Sequence, residues 1–132
     1  LIAGVVLVGV EESNTLESAA PRHRAILTTT WKDQVFSVLG RLTYFGETTR
    51  VFNFGGGFEP EQTYGGEWQF DTELAARVAQ HVELFVGATN LFDNYPDKSI
   101  ADISYFGNLP YDVLSPIGFN GRFVYAGARL DF

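Results

Sequence analysis

A chain of 132 residues with 45% hydrophobic and 19% charged side chains is long enough for one domain and ordinary in composition for a globular one. Its net charge of -7 excludes a nucleic-acid partner, because neutralising phosphates takes clustered Lys and Arg. The absence of cysteine excludes disulfides and thiolate metal sites, and is compatible with a periplasmic setting without requiring one.

Residues 1–10 form the longest apolar run, and ten residues fall well short of the ~18 or more of a transmembrane helix. The run lacks the basic flank of a secretory signal, so any export signal is expected to lie outside this chain or not to exist. With no polar face it reads as an edge strand or a frayed end. From Arg24 a two-residue period takes over, the mark of strands with two different faces. In residues 24–31, Ala25, Leu27, Thr29 and Trp31 alternate with Arg24, Ile26, Thr28 and Thr30. After a tight turn at 31–34, residues 34–46 set Phe36, Val38, Gly40, Leu42 and Tyr44 against Ser37, Leu39, Arg41 and Thr43. Residues 47–66 read as a long Gly-rich loop. Residues 67–78 alternate cleanly, with Trp68, Phe70, Thr72, Leu74 and Ala76 opposite Glu67, Gln69, Asp71, Glu73 and Ala75. Helix is the competing reading of 72–80, where propensity is high. The Trp68–Thr72 alternation, and the lack of any start signal besides Asp71, favour strand.

A second short turn at 77–80 leads into residues 81–92, where Val82, Leu84, Val86 and Ala88 oppose Glu83, Phe85, Gly87 and Thr89. A still longer loop, 93–121, contains Pro96, Pro110 and Pro116. The final segment, 122–132, places Val124, Ala126, Ala128, Leu130 and Phe132 on a wholly apolar face and Phe123, Tyr125, Gly127, Arg129 and Asp131 on a mixed one. A soluble core strand would need inward partners for those two charges, whereas a wet lumen solvates them. Eleven residues also match the roughly 9–11 that a tilted strand needs to cross a bilayer. Short turns alternating with long loops are the arrangement of outer-membrane barrels; in a compact soluble domain such loops would count against the strand assignment.

The box Asn90-Leu91-Phe92-Asp93, continuing to Lys98, resembles the TonB-dependent outer-membrane receptors, in which such a box typically closes the penultimate barrel strand. Further resemblances follow in order: Pro21-Arg22-His23-Arg24 and Tyr64-Gly65-Gly66-Glu67-Trp68 look like lead-ins to strands, and Pro110-Tyr111 with residues 115–123 like the last loop in one branch of the family. Tyr125, Gly127, Leu130 and Phe132 look like the C-terminal signal read by the outer-membrane assembly machinery, Tyr125 filling its polar position only in part. An unpaired last strand can add to a sheet edge through its main chain; Phe132 as a plain interface anchor is the simpler alternative.

The resemblance covers roughly residues 21–132. It implies an all-β fold, an antiparallel transmembrane β-barrel segment of about five to six C-terminal strands, in which residues 1–132 are the C-terminal part of a receptor barrel and the plug domain is absent. It places the protein in the bacterial outer membrane, in contact with lipid, with the rest of its barrel and plug, and with the TonB complex through the missing N-terminal part. The implied activity is uptake of a scarce nutrient, above all a ferric siderophore, by binding without catalysis and without a cofactor. The family orientation puts residues 47–66 and 93–121 outside the cell and the two short turns in the periplasm, with Trp31 near a turn and Tyr44, Trp68 and Tyr95 near the loops as interfacial aromatic girdles. The alternatives are a soluble β-sheet ligand-binding domain, and a small porin-like barrel, which needs about eight strands.

Other chemistry is less well served. Asp93, Asp97, Asp102 and Asp112 follow no calcium-loop spacing and read as turn residues. His23 and His81 lack a third ligand nearby. Gly55-Gly56-Gly57 lacks the Lys-Ser/Thr of a phosphate loop and reads as a flexible tip.

Overall fold

The computed structural model of the chain describes residues 8–131; residues 1–7 of the apolar run and the terminal Phe132 lie outside the described residues. One short helix, α1 (Val10–Glu17), precedes seven strands: β1 (Arg24–Lys32), β2 (Phe36–Phe45), β3 (Thr48–Val51), β4 (Glu61–Tyr64), β5 (Glu67–Ala79), β6 (Val82–Thr89) and β7 (Phe123–Leu130). Five of them form one antiparallel sheet in the order β1-β2-β5-β6-β7, while β3 and β4 pair with each other. The fold is therefore almost entirely antiparallel β.

The register aligns the predicted faces across all five strands. Ala25 pairs with Tyr44 and Tyr44 with Trp68; Leu27 with Leu42 and Leu42 with Phe70; Trp31 with Val38, Val38 with Leu74, Leu74 with Val86 and Val86 with Ala126. Directly paired residues share a face, so every strand's apolar set lies on one side. A one-residue slip anywhere would have mixed the faces.

Neither side of this sheet is covered by a second layer among the described residues. On the apolar side Leu27, Trp31, Leu74, Val86 and Leu130 are all exposed, and no large side chain among the described residues is fully buried. Burial concentrates instead at the loop end, in Phe45, Tyr64, Ala88 and Ile103, with Ala75 buried nearer the short turns.

Three local outcomes differ from expectation. Val10, the last residue of the run read as an edge strand or a frayed end, begins α1: the carbonyl of Gly9 accepts the Ser13 N–H at 3.1 Å, and Glu11 and Glu12 occupy the first turn, where the helix dipole favours carboxylates. Residues 47–66 contain the hairpin β3–β4 and are not structureless. Strand β5 runs to Ala79, past the turn expected at 77–80. The Arg77–Glu83 cross-strand pair prolongs the ladder, and a bulge between Arg77 and Ala79 takes up the offset before the reversal at Gln80–His81. The helical alternative for 72–80 is thereby excluded.

Candidate functional site at the loop end of the sheet

Three segments leave the sheet at the same end: the lead into β1, the β2–β5 connection, and the β6–β7 connection. Side-chain amides knit them into a cap. Asn14 on α1 donates from Nδ2 to the Thr49 carbonyl at 3.0 Å and accepts the Val51 N–H at 2.9 Å, satisfying the free edge of β3 as another strand would. Gln62 on β4 repeats the device, donating to the Lys98 carbonyl at 2.8 Å and accepting the Ile100 N–H at 2.8 Å. The Gly65 N–H donates to the Asp97 carboxylate at 2.8 Å.

At the centre of the cap Arg50 on β3 meets Asp112, with Nε 3.1 Å from Oδ2 and the two side chains only 7% and 4% exposed. The Nε–H is not directed at an acceptor, so the contact is Coulombic, while Nη1 donates to Thr15 at 3.2 Å and the guanidinium stacks 5.0 Å above Phe52. Tyr64 lies beside this pair, its hydroxyl 2.9 Å from Ser99. Burial pushes the Tyr64 phenol above its ordinary range, and the bond to Ser99 offsets that only in part.

The Asn90–Asp93 box is a backbone clasp between the two final strands. Asn90 ends β6 at a φ of 50°, in the left-handed region that Asn tolerates. Its amide closes on Asn94 twice, donating to the carbonyl at 2.6 Å and accepting the N–H at 3.0 Å. The Leu91 N–H donates to the Phe70 carbonyl at 2.7 Å, and the Phe92 ring stacks on Phe70 at 5.6 Å on the apolar side. Asp93, at a φ of 61°, accepts the Arg122 N–H at 2.7 Å and so fixes the point where β7 begins after the long loop. Gly121 is obligatory there, for its φ is 69° and a Cβ would fall 2.6 Å from the Asp93 carboxylate.

On β7 the residues of the terminal pattern divide between the faces. Tyr125 and Gly127 lie on the polar side, where Tyr125 joins a hydrogen-bond network, and Leu130 is exposed on the apolar side. Arg129 donates to Glu83 at 2.6 Å and to Glu73 at 2.7 Å, and Tyr125 donates to Glu73 at 3.1 Å. Glycines make room for the aromatic members. Phe85 pairs with Gly127, where a Cβ would lie 2.5 Å from the ring, and Tyr125 pairs with Gly87, where a Cβ would lie 2.8 Å from Cε2. Each ring folds over the glycine opposite, a reciprocal packing that pins the β6–β7 register.

The four aspartates considered together in the sequence do separate work: Asp93 and Asp97 bind backbone N–H groups, Asp112 pairs with Arg50, and Asp102 faces an aromatic cleft. Among the described residues no three His, Asp or Glu gather as metal ligands. The predicted girdle residues Tyr44 and Trp68 do meet, with ring centroids 4.8 Å apart, and Tyr95 stacks on Tyr111 at 5.6 Å. Asn14, Arg50 and Gln62, which hold the cap, carry no periodicity or motif that marks them in the sequence, and the Tyr64–Trp68 lead-in gave no sign that Tyr64 would join them.

No family model, no curated protein and no solved structure matches the chain.

Proposed function

We propose that the chain forms the closing strands of an outer-membrane β-barrel, the C-terminal part of a receptor resembling the TonB-dependent family, whose parent protein takes up a scarce nutrient of the ferric-siderophore class. The observation that carries this reading is the two-sidedness of a single-layer sheet. One face is apolar across all five strands and uncovered, while the opposite face carries the Arg129–Glu73–Glu83 network.

Soluble domains bury an apolar sheet face under a second layer, and a wide uncovered one in water aggregates. Lipid is the cover that suits such a face, with a wet lumen on the polar side. Strands β1 and β7 each keep one edge free among the described residues, which hydrocarbon does not tolerate, so further strands of the parent barrel must close them. The polar face then meets the plug, the long connections face outward as the ligand side, and the TonB complex acts through the N-terminal part. A self-contained porin is disfavoured because, among the described residues, five strands join the sheet against about eight for the smallest barrels.

The complete reading frame containing this chain should give an outer-membrane product that migrates differently before and after boiling. Deleting it should impair growth when iron is held by an added siderophore. A soluble, monomeric product, or one that residues 1–132 alone reproduce in water, refutes the membrane reading.

A further inference from the structure

The cap contains an aromatic cleft that its own architecture does not require. Phe54, Phe58, Tyr105 and Phe106, with Ala101 and Asp102, line an open cavity of about 400 Å³, within the size range of small-molecule sites. Its walls are held from behind. Gly55, Gly56 and Gly57 all take positive φ and turn the chain so that the Phe54 N–H donates to the Phe58 carbonyl at 3.1 Å, leaving the two rings 6.0 Å apart.

The facing wall is a loop anchored by buried Ile103 and Ser104, where the Ser104 hydroxyl donates to the Ala101 carbonyl at 3.0 Å and accepts the Gly107 N–H at 3.1 Å. On that anchor Tyr105 and Phe106 are both held at positive φ, 49° and 62°, a strained setting for aromatic residues. Tyr105 meets Phe54 edge-on at 5.8 Å, and Phe106 is fully exposed. Such strain persists only where the surroundings impose it, and it often accompanies binding sites.

Charge decides what the cleft takes. Asp102 is its one charged wall residue, and among the described residues it has no ion-pair partner. The three cap segments together hold ten carboxylates against the cations Arg22, Arg50, Lys98 and Arg122. A negative field of this kind concentrates cations and repels anions, and aromatic faces attract cations as well.

We propose that the cleft is a subsite for an organic cation, an alkylated ammonium carried on an apolar or aromatic body, with Asp102 opposite the charge. The proposal rests on the loop end being the ligand-facing side of an uptake receptor. Its test takes the complete gene product in detergent and titrates benzyltrimethylammonium, benzyl alcohol and benzoate by saturation-transfer NMR. The cation should bind at least about fivefold more tightly than the alcohol, and benzoate most weakly. Asp102→Asn and Phe58→Leu should each weaken the cation by about two- to fivefold, with Asp102→Asn leaving the alcohol unchanged. Benzoate binding as tightly as the cation, or cation binding that neither substitution alters, overturns the assignment.

Gel mobility before and after boiling, read on the same samples, separates the two claims. A heat-modifiable barrel without cation selectivity refutes the subsite alone. A soluble product that binds the cation through Asp102 refutes the uptake reading and leaves the subsite standing.

Discussion

Replacing Leu74 by Arg tests the two-faced sheet at its most informative point. Leu74 lies near the middle of β5, the central strand of the five, between Val38 and Val86, and is 50% exposed. If that face meets water, a half-exposed Leu changed to Arg alters stability by no more than about 0.5 kcal/mol, as surface substitutions generally do. If it meets hydrocarbon near the bilayer midplane, the loss is about 2–4 kcal/mol, roughly thirtyfold to a thousandfold in the folding equilibrium. The control is Leu39→Arg one strand away, directly opposite Glu73 on the polar face, where a lumenal guanidinium should change stability by less than about 1 kcal/mol. Both variants of the complete gene product are folded into lipid vesicles and titrated with urea, the folded fraction being read from gel mobility without boiling. A Leu74→Arg midpoint equal to wild type refutes lipid contact at this face. Equal losses in the two variants refute any difference between the faces.

Three further outcomes follow from the geometry. Gly127→Ala should destabilise the sheet by about 1–3 kcal/mol through overpacking against Phe85. In a double-mutant cycle read by the same urea titration, Phe85→Ala should abolish most of that increment; additive losses would mean that Gly127 matters for something other than this contact. Asp112→Asn leaves the Arg50 charge buried without its counter-charge, a loss of about 3–5 kcal/mol confined to the cap. Limited proteolysis should then cut residues 99–118 faster while heat-modifiable mobility persists, and an unchanged cleavage pattern would contradict the role given to the pair. Because burial raises the folded Tyr64 pKa, its stabilising share is complete below the unfolded value of about 10 and is lost as pH rises through the folded one. A titration of absorbance at 295 nm, wild type minus Tyr64→Phe, should isolate a phenol ionising above the ordinary range, and a difference curve centred at or below pH 10 would refute its burial.

Legibility in the sequence followed the range of the interactions. The alternation at Trp68–Ala76 and Val124–Leu130 placed those residues on the face where the register puts them, because side-chain direction in a strand depends only on neighbouring backbone. The Asn90–Asp93 box was legible as a motif, but its work was not. That Asp93 ties down Arg122 across the 28 residues between them depends on where a long loop returns. The hairpin inside residues 47–66 escaped notice because four-residue strands carry too few alternations to stand out from loop. Helix α1 escaped because an apolar run leading into Glu-Glu-Ser-Asn has no helical stripe; the helix is held by Asn14 against β3, a partner 35 residues away.

What the sequence by itself determined was the five strands of the main sheet, their faces, and the ends at which turns are short or long, all consequences of local geometry and of the period of two. Tertiary structure decided which strands adjoin, that the three long connections lock into one cap, and that Arg50 and Asp112 meet in its centre. It also decided that Phe54, Phe58, Tyr105 and Phe106 converge on Asp102. Those contacts join residues that are dozens of positions apart, and they form only after the sheet has brought its loop ends to one side. Their energies depend on burial and distance, neither of which a linear pattern encodes.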